Sequence, residues 1–272
     1  MSNSIRDLSK EKKQDGRMSK EMRLKNPYRA IGYFIAFTLA GYLLLLAFKS
    51  MFPTVTLEIR GAFIGLEFCL IYLIARIFHG SPFKPTKGAP YLESLRHVLG
   101  LLLIGYVSPV IVIIIAGPQS VFQDARPPFV DTWSPFILAF ALIHWGVISV
   151  MVAYFYHAVT YDLFSKLSRF FGILGATALV TINYNFPLLS NYWNLWDILF
   201  FGLVFAYSYS VNRNPAALAS AYLLSEVPLW WCILAPLGAP TLATYFVGRF
   251  WISLIALLSL FKSGPKFNFR AS

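Results

Sequence analysis

The chain has 272 residues, of which 57% are hydrophobic and only 13% charged, with mean hydropathy +0.62 and a formal net charge of +11. An ordinary globular domain is about 25% charged, and one soluble core of this size has no room for so much apolar surface. The composition excludes a soluble enzyme, a disordered tail and a fibrous repeat, and it points to an integral membrane protein. The basic excess fits either nucleic-acid binding or membrane topology, and the position of the charges separates the two.

Residues 1–29 are polar, with nine Lys/Arg against four Asp/Glu and no apolar run. An h-region and a small-residue cleavage site are missing, so this is a basic arm and not a signal peptide. Asp7, Glu11, Asp15 and Glu21 interrupt its bases, and it lacks the aromatic interleaving used on single strands. Nucleic acid is therefore not expected as a partner. Anionic headgroups are, at about 1 kcal/mol per Lys or Arg near the surface.

Eight apolar stretches follow, at 30–52, 61–78, 97–116, 134–158, 170–189, 195–211, 215–234 and 241–261. Each is near the length of about 20 residues that crosses a bilayer as a helix. The breaks are explicit: Pro53, the Gly80–Pro90 segment, Gly117-Pro118, Pro127-Pro128, Asn212-Arg213-Asn214-Pro215, and Pro236, Gly238 and Pro240. With the N-terminus in the cytoplasm, 19 of the 23 Lys/Arg fall on the cytoplasmic side, three opposite (Lys49, Arg60, Arg126), and Arg249 lies inside a span. That asymmetry follows the positive-inside rule and needs an even number of spans. Trp133, Tyr192, Trp193 and Trp196 fall near the opposite boundary, where an aromatic belt belongs. The reading is an all-α, polytopic membrane helix bundle of about eight transmembrane helices with both termini cytoplasmic. It has a basic arm (1–29), a membrane domain (30–261) and a basic tail (262–272). The membrane is a bacterial or archaeal plasma membrane or an internal one.

Charges inside spans need a partner or a purpose. Glu67, Asn183, Asn185, Glu226 and Arg249 form the expected intramembrane polar cluster, with Asp197 nearby. Glu226 and Arg249 lie on consecutive antiparallel spans at similar depth and are expected to pair, with Glu67 as the competing partner. A structural ion pair and a polar substrate or ion pocket are both open. Of the four histidines, His144 and His157 are about 220° apart around a helix and share no face. No metal-binding pair such as HExxH occurs, so no metal is expected. His97 and His157 fall at the cytoplasmic ends of their spans, where two imidazoles can hold a haem or a chlorin. Single histidines bonded to loops are the commoner arrangement. No cofactor is the leading expectation. Cys69 and Cys232 lie inside apolar runs and read as small buried hydrophobes. Gly61 and Gly65, Gly172 and Ala176, and Ala216 and Ser220 are spaced for close helix approach, within the bundle or against another membrane protein.

The stretch from Val152 to Glu226 resembles the membrane CAAX-protease and bacteriocin-processing family, the type II CAAX prenyl endopeptidases. The match rests on Val152-Ala153-Tyr154-Phe155-Tyr156-His157 and the basic loop to Gly172, on Thr181-Ile182-Asn183-Tyr184-Asn185, and on Asn212-Arg213-Asn214-Pro215 leading to Tyr222 and Glu226. The resemblance implies a bundle of about eight helices and a site built from a glutamate pair, an arginine, two histidines and an asparagine. Here Val152 and Ala153 stand in the glutamate places, His157 in that of the arginine, and Asn185 nearest the first histidine. Tyr222 and Glu226 hold the i, i+4 positions of the last motif. An aliphatic pair cannot activate water. The resemblance thus implies a non-catalytic pseudoenzyme acting as subunit, scaffold or assembly factor of a larger membrane complex, with the basic arm as a contact. The alternatives are a diverged intramembrane endopeptidase using Glu226 with Asn185 and His157, and a pigment- or haem-binding subunit using His97 and His157.

Overall fold

The computed structural model describes residues 2–52, 54, 56–83, 88–105, 107–117, 133–185, 192–238, 244 and 246–262, with backbone alone for 2–26. Among the described residues every regular element is helical. In chain order they are α1 (Ser2–Met51), α2 (Leu57–His79), α3 (Tyr91–Gly105), α4 (Val107–Ala116), α5 (Pro135–Val150), a π-helical segment π1 (Met151–Val159), α6 (Thr160–Phe164), α7 (Arg169–Asn185), α8 (Tyr192–Asn212), α9 (Pro215–Ser225), α10 (Val227–Leu234) with a short 3₁₀ extension, a second π segment π2 (Phe246–Trp251), and α11 (Ile252–Lys262).

The polar punctuation of the sequence sets these boundaries. Thr56 Oγ1 accepts the Ile59 amide, Ser134 Oγ the Ile137 amide and Asn214 Oδ1 the Ala217 amide, so α2, α5 and α9 each begin on a side-chain cap. Pro135 and Pro215 occupy first helical positions, where their missing N–H costs nothing. α2 ends at Gly80, whose φ of +98° suits a residue without Cβ.

Among the described residues, three helices are long and apolar enough to cross a membrane: Pro27–Met51, Leu57–His79 and the continuous α5–π1–α6 unit, Pro135–Phe164. A fourth qualifies if α9 and α10, bent by 55°, are one broken span. Large apolar side chains point outward along these helices. Ile35, Leu39 and Leu43 on α1 and Ile77 on α2 are each at least half exposed.

The stretch expected as one helix over 215–234 is interrupted at Glu226, and the reason is chemical. Pro228 has no N–H to give to the carbonyl of Leu224. The indole Nε1 of Trp230 donates to that carbonyl instead, at 2.8 Å, and Ser225 Oγ donates to Tyr222 O. Side chains thus replace the missing backbone partner at the bend, as a helix break inside hydrocarbon requires.

The core is centred on π1, which packs against α2, α5, α6, α7, α8 and α9. The widened π turn leaves carbonyls within reach of side chains. His157 Nδ1 donates to Val152 O at 2.8 Å. The Phe155 carbonyl accepts both Thr160 Oγ1 at 3.0 Å and Tyr33 Oη, from α1, at 2.9 Å. Tyr33 is fully buried, so this one hydroxyl ties α1 to the centre of the bundle. Tyr33→Phe is expected to destabilise by about 1 kcal/mol, since Thr160 still serves the carbonyl. Combining it with Thr160→Val should cost more than the sum of the singles, because the carbonyl is then orphaned. Denaturation of the four proteins in one detergent measures the coupling, and strict additivity would contradict the shared acceptor.

Candidate functional site

The polar residues expected within the spans fall into separate places. The first surrounds a cavity of about 340 Å³ walled by α1, α2, α5, π1 and α7. Glu67 and Asn183 line it, together with Lys49 and Arg60. Arg60 and Glu67 are seven residues apart on α2, two turns along one face, and they interact electrostatically. Arg60 Nε also lies 3.5 Å from His144 Nε2. Asn183 Nδ2 donates to Leu179 O at 2.8 Å and to Thr38 Oγ1 at 3.4 Å, which leaves its Oδ1 as the acceptor turned toward Gly41 on α1. Leu45, Phe48 and Ile148 supply apolar wall. Glu67 therefore sits in a basic setting made by its own helix and α1. The side chains of Asn185, Asp197, Tyr192, Trp193 and Trp196 lie outside the described residues.

Glu226 and Arg249 occupy a second place. Glu226 stands at the break between α9 and α10, with φ −72° and ψ 108°. π2, which carries Arg249, packs on both halves of that broken helix. The Arg249 guanidinium lies 4.8 Å over the Phe201 ring of α8. A Cβ on Gly248 would come within 2.7 Å of Trp230, so π2 and α10 are in close contact beside Glu226.

Val152, Ala153, His157 and Tyr222 lie in the core, while Glu226 is half-buried. Val152, Ala153 and His157 are 2%, 0% and 1% exposed. The imidazole of His157 packs against Phe205 at 5.5 Å, and Phe205 in turn meets Tyr222 at 5.9 Å. Phe201 closes the other side of Tyr222 at 6.1 Å. Positions 157 and 222 thus both contact one aromatic ring, that of Phe205. Around them is packed hydrocarbon.

His97 does not join His157. Its Nδ1 lies 2.8 Å from Asn212 Nδ2, while His157 rests on Phe205. Phe205 and Asn212 are two turns apart on α8, about 10 Å along its axis. Among the described residues no group of three or more His, Cys, Asp or Glu comes together as a metal set. Cys69 is exposed and Cys232 buried, and both are free thiols. Of the small-residue pairs, Gly172 fits against the Tyr161 ring, where a Cβ would come to 2.9 Å, and Ala176 is fully buried. Ser220 instead accepts the Tyr91 hydroxyl, and Gly65 faces open space.

Sequence reasoning missed a polar node at the opposite end of the bundle, centred on Asp162. Its carboxylate accepts from Arg213 Nη1 and from Tyr209 Oη at 3.3 Å, and it lies 3.7 Å from His79 Nε2. Arg213 stacks over Tyr161 at 4.4 Å. Its φ of +52° is left-handed, a strained backbone for a residue with Cβ. The ion pair and the stacking hold it there. Beside it, the Ala89 amide donates to Asn212 O at 2.8 Å and Asn214 Nδ2 to Ala89 O at 3.0 Å, locking the 88–90 segment onto the 212–214 turn. The available signal was Asp162 as an acid inside a basic loop.

No protein-family model, curated protein or solved structure matches this chain.

Proposed function

We propose that the protein is a multi-pass membrane bundle of about eight spans, with both termini on the cytoplasmic side, and that it acts as a non-catalytic subunit, scaffold or assembly factor of a larger membrane complex. It is read as a degenerate relative of the CAAX-protease fold, with the basic arm and the outward apolar faces as its contacts with partner subunits and lipid. The observation that carries this reading is the state of the motif positions. Val152 and Ala153, in the places of the catalytic glutamates, are buried, and so is His157. The His157 ring packs against Phe205, which in turn meets Tyr222. Hydrolysis needs a base and a water together, and the aliphatic pair supplies neither. The convergence of His157 and Tyr222 on Phe205 supports the kinship, because residues of the first and third motifs must meet in that fold.

The rival reading is a diverged endopeptidase that uses Glu226, the carboxylate at the helix break. Glu226→Gln separates the two. The expected result is an unchanged profile of membrane peptides in cells carrying the variant, compared with wild type and a deletion. Loss of specific cleavage products on Glu226→Gln, with normal protein levels, would establish the endopeptidase instead.

A further inference from the structure

We infer that the cavity lined by Lys49, Arg60, Glu67 and Asn183 seats the headgroup of one anionic, hydroxyl-bearing glycerophospholipid, such as a phosphatidylglycerol. The inference is independent of the scaffold reading, which rests on Val152, Ala153 and His157, none of which lines this cavity.

Four observations carry it. The first is depth. Lys49 is two residues from the end of α1 and Arg60 three residues into α2, so the cavity opens at the ends of two apolar helices. That is the level of lipid phosphates beside a span of this length. The second is charge. Two cations face one carboxylate, and Arg60 already lies beside Glu67 and His144. Lys49 is exposed, with no carboxylate within ion-pair distance among the described residues. One positive charge is left over at the mouth, and it suits a phosphodiester. The third is hydrogen bonding. The Asn183 Oδ1, left open by the two bonds its Nδ2 donates, and the Glu67 carboxyl oxygens can accept from headgroup hydroxyls. The fourth is shape. At about 340 Å³ the cavity holds a headgroup but not an acyl chain, and it is flanked by Leu45, Phe48 and Ile148 on the same two helices that expose Leu43, Leu46 and Ile143. A chain can leave along that flank into the bilayer, whereas a free anion gains nothing from it. Lipid is favoured over soluble phosphate for that reason.

The test is native mass spectrometry of the full chain from lipid discs containing phosphatidylglycerol or phosphatidylcholine. The wild type should retain one phosphatidylglycerol under activation that strips phosphatidylcholine. Lys49→Ala should weaken that retention about fivefold, Lys49→Glu should abolish the preference, and Lys49→Arg should keep it. Lys49 is exposed, so these variants should fold, and a melting curve for each confirms it. Equal retention of both lipids, or a preference indifferent to Lys49→Glu, would overturn the proposal. Displacement of phosphatidylglycerol by millimolar inorganic phosphate would also overturn it, in favour of a soluble anion.

Discussion

Phe155→Ala is expected to destabilise the bundle by about 2–3 kcal/mol. Phe155 has no solvent exposure, and its ring lies 5.5 Å from Phe68, 5.6 Å from Phe83 and 6.4 Å from Tyr72. In a water-soluble core such a truncation costs about 3–5 kcal/mol, part from transfer and part from the void. A bilayer removes most of the transfer part, because lipid is as apolar as the protein interior, and leaves the lost packing. Phe155→Leu should recover more than half of the loss. Midpoints of unfolding in mixed micelles measure both variants. A cost below about 0.5 kcal/mol for Phe155→Ala would mean that π1 is not the packed centre of the fold.

The second large effect is expected at Gly88. A Cβ there would stand 2.5 Å from the carbonyl oxygen of Arg213 and 2.7 Å from that of Asn212. Both obstacles are backbone, so neither can rotate away. Gly88→Ala should push the 88–90 segment off the 212–214 turn and break its two hydrogen bonds, at a combined cost of about 3 kcal/mol. Gly65→Ala is the matched control. Nothing lies within 4 Å of its Cβ position, and it sits inside α2. Alanine there should be neutral or stabilising by up to about 1 kcal/mol. Equal effects at the two glycines would contradict the docking of the 88–90 segment.

Much of the architecture was legible because it is written in local chemistry. Ser134 and Asn214-Pro215 mark helix starts without reference to anything distant, and the structure places starts there, whereas the span expected from 61 begins at Leu57 on the Thr56 cap. Gly80 ends α2 for a reason internal to Gly80. The break at Glu226 was also legible in principle, since Pro228 removes one amide and must leave an acceptor behind. What the sequence hid was the remedy, an indole six residues beyond the orphaned carbonyl. π1 was hidden for a related reason. Its carbonyls are served by Tyr33, 122 residues away, and by Thr160 and His157 on its own turns, and no local pattern announces such a set. The site residues divide in the same way. Glu67 and Asn183 stood out as polar atoms in apolar text, and they do line one cavity. Lys49 and Arg60 read only as boundary charges; Arg60 meets Glu67 along α2 itself, while Lys49 reaches the same cavity only through the packing of α1 on α2. The Asp162 node joins α2, α6 and α8 through contacts between residues far apart in the chain.

We propose for this chain a role as a non-catalytic part of a larger membrane complex. Its most direct test is the mass of the particle extracted in mild detergent from the native membrane, with each component identified. The expected result is a particle well above the 30.7 kDa of the chain, holding at least one different membrane protein in fixed ratio. A bare 30.7 kDa monomer, with lipid and detergent as its sole companions, would contradict it.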